Sequence, residues 1–93
     1  MITKLMNERL NNIIKVGNIT EIRIDSEMEC IYLTFKFKNG YGAKVTINDV
    51  QGYIVYTLLK IGKDWTDTYN CQMTENNALV LDILHTIKRY EKR

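Results

Sequence analysis

The chain predicts an α+β fold: a three-stranded antiparallel sheet with helices packed on one face, in the order α-β-β-β-α-α. Three observations predict it. Two alternating runs meet at Lys38-Asn39-Gly40, one helical stripe precedes them, and two helical stripes follow.

From Thr3, a candidate N-cap, Met6, Leu10, Ile13 and Ile14 fall on one side of a helix, with Leu5 at its edge. Gly17 sits where a helix-terminating glycine belongs. Ile22 and Ile24 then alternate with Glu21 and Arg23 in a first strand, and Asp25-Ser26-Glu27-Met28 suits a type I turn. The next two strands carry Ile31, Leu33, Phe35 and Phe37, then Tyr41, Ala43, Val45 and Ile47, apolar at every second position. A two-residue Asn-Gly loop would set Phe35 against Lys44 and turn one apolar row to water, because a slip of one residue reverses every side chain. A three-residue loop with Gly40 in the left-handed conformation instead pairs Phe35 with Ala43 and Leu33 with Val45.

Asn48 and Gln51 have the spacing of a capping box, and Val50, Ile54, Leu58, Ile61 and Trp65 form a helical stripe broadened by Val55 and Leu59, with Gly62 a candidate end. The stretch from Tyr53 to Leu59 is also rich in strand formers, so a fourth strand is the competing assignment. Thr74 caps a last helix whose apolar side holds Leu79, Val80, Ile83, Leu84, Ile87 and Tyr90, and Lys88, Arg89, Lys92 and Arg93 suit the negative end of its dipole.

Ninety-three residues make one domain, 1–93, with a thin core, since a chain of this size buries only about 60 to 65% of its unfolded surface. The content of 45% hydrophobic and 26% charged residues is that of an ordinary globular protein. Thirteen Lys and Arg against eleven Asp and Glu leave a net charge of +2, too small to imply nucleic acid unless the basic residues cluster. The opening Met1-Ile2-Thr3-Lys4 has no secretory pattern and no apolar run approaches the roughly 20 residues a membrane helix needs, so a cytoplasmic location with no membrane partner is expected. Cys30 and Cys71 then read as free thiols.

Two surfaces are candidates for binding. The solvated face of the sheet should present Arg23, Tyr32, Lys36, Lys38 and Lys44, basic groups around a tyrosine of the kind that hold a phosphate backbone and stack a base, with Glu21 among them. On the second helix, Tyr53, Tyr56, Lys60 and Lys63 project together, with Trp65 beyond, and tyrosines on a rigid helix anchor protein partners. Leu81 lies on the polar side of the last helix near Ala78 and His85 and extends such an interface.

Chemistry has less to stand on. A nucleophilic pair would need Cys71 within reach of His85 with Asp82 orienting the imidazole, a spacing that matches no motif. Cys30, Cys71 and His85 are one ligand short of a structural zinc site, and Gly40 and Gly42 end a hairpin rather than open a helix. Asp25, Glu27 and Glu29 cluster at a turn, where carboxylates are ordinarily solvated. No catalytic residue, metal or cofactor is expected.

The layout invites comparison with the double-stranded-RNA-binding domain, but that family's lysine-rich helix start is replaced by Asn48-Asp49-Val50-Gln51-Gly52. The element order, together with Gly62-Lys63-Asp64-Trp65-Thr66-Asp67-Thr68-Tyr69 and its aromatics four apart, resembles a small phage anti-CRISPR family that inhibits Cas9. The resemblance implies a small phage-type inhibitor. It does not extend to DNA mimicry, since only Asp64, Asp67 and Glu75 are acidic nearby. The expected function is thus a non-enzymatic phage or mobile-element protein that binds and inhibits a host defence protein or nucleoprotein complex. A nucleic-acid-binding accessory or regulatory module using the basic sheet face is the alternative, and an enzyme built on Cys71 and His85 is a third class.

Overall fold

The computed structural model describes residues 3–92, with Tyr69 described by its backbone alone. Helix α1 (Lys4–Ile14) leads into five strands, β1 (Ile19–Asp25), β2 (Cys30–Lys36), β3 (Tyr41–Asn48), β4 (Gly52–Ile61) and β5 (Asp64–Thr74), and α2 (Asn77–Lys88) closes the order. The sheet is an antiparallel meander in which every strand pairs with its sequence neighbour, β1-β2-β3-β4-β5. Among the described residues no helix is long and apolar enough to cross a membrane.

The three-stranded sheet and the helix read over 50–65 are corrected by this topology. That segment is a hairpin, and its residues explain why. Tyr53, Val55 and Thr57 alternate with Ile54, Tyr56 and Leu58, so both parities carry strand-forming side chains and a helical stripe can be drawn by taking residues from both. Pairing to β3 on one side and β5 on the other settles the competition, because a central strand satisfies its backbone along both edges. Gly62 ends no helix: at φ 61° it takes the first position of the two-residue loop between Ile61 and Asp64, as a type II′ turn requires. Asn48 and Gln51 do bond to each other, Gln51 N–H donating to Asn48 Oδ1 at 2.6 Å, but within the β3–β4 turn.

The β2–β3 hairpin keeps the expected register. Leu33 pairs with Val45 and Phe35 with Ala43, Phe37 N–H donates to the Tyr41 carbonyl at 2.9 Å, and Gly40 lies at φ 84°. A β-carbon at that φ is strained, so Gly40→Ala is expected to lower stability by about 1 kcal/mol. A denaturant midpoint equal to wild type would contradict it. Asn39 has a task beyond the turn: buried, it donates from Nδ2 to the carbonyls of Ile87, Lys88 and Tyr90 and so clamps the end of α2 to the hairpin.

Thr3 caps α1 by accepting from Met6 N–H at 3.1 Å, as its sequence implies. The cap of α2 is Asn76, whose Oδ1 accepts from Ala78 and Leu79, whereas Thr74 ends β5 and accepts from Asn76 N–H. Arg93, assigned to the basic end of this helix, lies outside the described residues. Both helices cover one face of the sheet. Met6, Ile13 and Val16 with Val80, Leu84 and Ile87 close a core over Ile31, Leu33, Phe35, Ala43, Val45, Ile47, Tyr53 and Val55. Leu81, read as a polar-side residue, is half-buried and packs against this core. The opposite face has no helix on it.

Candidate sheet-face binding site

Strand periodicity builds the site. Because paired residues share a face, the side chains opposite those of the core form continuous rows across the bare side of the sheet. One row runs Arg23, Tyr32, Thr46, Ile54, Met73, and the next Glu21, Thr34, Lys44, Tyr56, Cys71. A third runs Lys36, Gly42, Leu58, Asp67, and beyond it Lys60 pairs with Trp65.

The two surfaces inferred from sequence therefore become one. Arg23, Tyr32, Lys36 and Lys44 lie on the bare face, and Tyr56, Lys60 and Trp65 join them because their segment is sheet rather than helix. Tyr53 does not. It has the parity of Val55, is 0% exposed, and its hydroxyl donates to the Arg9 carbonyl at 3.0 Å, so its assignment to a partner surface is corrected. Lys63 is an exposed residue of the β4–β5 turn and Lys38 an exposed residue of the β2–β3 turn, both at the same end of the sheet.

Each of the three aromatic side chains stands beside a cation. The Arg23 guanidinium lies 4.2 Å from the centre of the Tyr32 ring, and Lys36 Nζ lies 5.6 Å from the Trp65 ring. Lys44 is the direct cross-strand neighbour of Tyr56, and Lys60 that of Trp65. Gly42 makes room for the indole: a β-carbon there would fall 3.1 Å from Trp65 Cζ3 and 2.3 Å from the Phe35 carbonyl oxygen. Leu58, in the same row, is 5% exposed although it stands outside the core cluster. Beyond the indole, a groove of about 280 Å³ runs along Lys38, Lys60 and Lys92, and it meets a larger one of about 460 Å³ lined by Lys88 and Tyr90.

Acidic groups interrupt the face mainly toward β1, where Asp25 sits 3.8 Å from Arg23, and at Asp67. The Tyr32 phenol is held above its ordinary value by desolvation first and then by Cys30 and Asp25, and Tyr56 likewise by desolvation, then Cys71 and Asp67. Both hydroxyls are consequently neutral donors at physiological pH. Cys71 lies on the bare face and His85 on α2 across the sheet, so the structure does not bring that pair together. Both cysteines are free, and the described residues contain no cluster of three metal-ligating side chains.

What sequence reasoning missed is the junction of Lys36 with Trp65. The signal was present in the second parity of residues 54–60, Ile54, Tyr56, Leu58 and Lys60, which carries strand formers as the first does. The aromatic pair four apart in the anti-CRISPR resemblance is no helix end, since both residues lie in β5, and the Tyr69 side chain is outside the described residues. No family model, no curated protein and no solved structure matches this chain.

Proposed function

We propose that the chain is a binding module whose bare sheet face takes single-stranded nucleic acid. One observation carries this reading: Tyr32, Tyr56 and Trp65 share an open face and each has a basic side chain as its immediate neighbour. Bases stack on aromatic rings or on a guanidinium plane, while lysines spaced between them meet the phosphates. Arg23 over Tyr32 offers its outer plane for such stacking, and Lys36, Lys44 and Lys60 line the path from there to Trp65. A net charge of only +2 is compatible because Arg23, Lys36, Lys44 and Lys60 on this face, with Lys38 and Lys63 at its end, outnumber its acids Glu21, Asp25 and Asp67.

The test is titration of a labelled oligothymidylate of about ten nucleotides at several salt concentrations. Affinity is expected to fall with salt with a log–log slope of about −2 to −3, as neutralising three or four phosphates of a single strand implies. Lys36→Glu, Lys44→Glu is expected to abolish most of the binding and flatten that slope. Binding that is insensitive to salt, or unchanged in the double variant, would refute the proposal.

A second reading, capture of a host protein in the manner of a phage-type inhibitor, draws on the other end of the same face. There Ile54 pairs with Met73, which is 58% exposed, an apolar area without lysines. That reading expects little salt dependence and loss of capture on Met73→Asp, with oligonucleotide binding absent.

A further inference from the structure

The core face of the sheet is not covered to its margin. The helices lie over β2 to β5, so Ile22 and Ile24 of β1, which have the parity of the core, remain 46% and 58% exposed. β1 is also an edge strand with one row of backbone groups unpaired. The other edge is protected differently: β5 carries a register shift opposite Tyr56 and Leu58, and such bulges twist an edge away from further pairing. β1 has a register shift too, but at its start, between Ile19 and Glu21, and from Glu21 to Asp25 it is regular.

We propose that β1 pairs with β1 of a second copy of this chain, antiparallel, across a two-fold axis at Ile22. The charge pattern selects both the occupant and the register. With the axis at Ile22, Glu21 of each copy faces Arg23 of the other on the bare face and Ile22 faces its own counterpart on the core face, so the pairing is centred on the regular part of the strand. An axis at Glu21 or at Arg23 sets like charges directly opposite each other. One at Ile24 would place Arg23 against Asp25 but would bring Glu21 against Glu27. The pairing satisfies the open edge, removes Ile22 and Ile24 from water, and joins two sheets into one ten-stranded surface whose bare faces are continuous. It is independent of what that face binds.

Sedimentation equilibrium of the full chain tests it. Wild type is expected to move toward twice the monomer mass as concentration rises. Glu21→Lys and Arg23→Glu each place two like-charge pairs at the two-fold and are expected to shift the protein to monomer at least tenfold in concentration, while the double swap restores association. Hydrogen exchange of wild type supplies a readout that no variant's folding can confound: amides of 19–25 should exchange more slowly as concentration rises. A wild type that stays monomeric to its solubility limit, β1 exchange independent of concentration, or a double swap no better than the singles would each overturn the proposal, the first leaving the edge open to a strand of a different protein.

Discussion

Tyr53→Ala is expected to lower stability by about 3 to 5 kcal/mol, the range for removing a large aromatic from a core. A domain of this size has roughly 5 to 14 kcal/mol in all, so the variant should be largely unfolded or close to it. The reason is position. Tyr53 is 0% exposed between Ile47 and Thr74 on the core face, and its hydroxyl ties the sheet to α1 through the Arg9 carbonyl. Urea midpoints check the prediction, and a midpoint near wild type would place this ring in solvent. Tyr53→Phe keeps the ring and loses the hydrogen bond, a smaller effect of about 0.5 to 1.5 kcal/mol.

The same residue gives stability a pH dependence of defined sign. Desolvation holds the Tyr53 phenol above its ordinary 10.0, against smaller opposing effects of Asn12 and Arg9. The unfolded chain therefore ionises first as pH rises through 10.0, and stability is lost from there until the folded phenol itself titrates. Tyr32 and Tyr56 shift in the same direction. Tyr53→Phe should lose less stability than wild type over that alkaline interval, measured by midpoints on either side of it.

Trp65→Ala and Tyr56→Ala are expected to weaken oligonucleotide binding by about 1 to 3 kcal/mol each, or roughly 5- to 150-fold in Kd. Both rings lie on the bare face, outside the core cluster, so the variants should remain folded and the loss should be one of binding. Trp65 is the only tryptophan, and its emission is expected to be quenched as a base stacks on it. Trp65→Phe should retain part of the affinity. Unchanged affinity in both alanine variants, with unquenched emission in wild type, would remove the stacking platform and leave only nonspecific attraction to lysines.

Local chemistry alone determined the first half of the chain. Thr3 as a cap, the Asp25 turn and the three-residue loop at Gly40 each rest on interactions spanning a few residues, and burial of one parity allows one hairpin register. The bare face followed too, because Tyr32, Lys36 and Lys44 are opposite in parity to Phe35 and Val45. Residues 50–65 were a different case. Ile54, Val55, Leu58 and Leu59 satisfy a helical stripe and a strand at once, since both parities are rich in apolar residues, and nothing within the segment breaks the tie. The partners do. β3 supplies one unpaired edge and β5 completes the other, with partners that extend from Tyr41 to Thr74 beyond the segment itself, and once β4 is a strand Tyr53 must face the core while Tyr56 joins Tyr32. The chain by itself thus determined the parity of the first hairpin and offered candidate surface residues, Tyr53 wrongly among them, and tertiary pairing alone decided which of them share a surface, because a side chain's face in a strand is set by the neighbour that fixes its register.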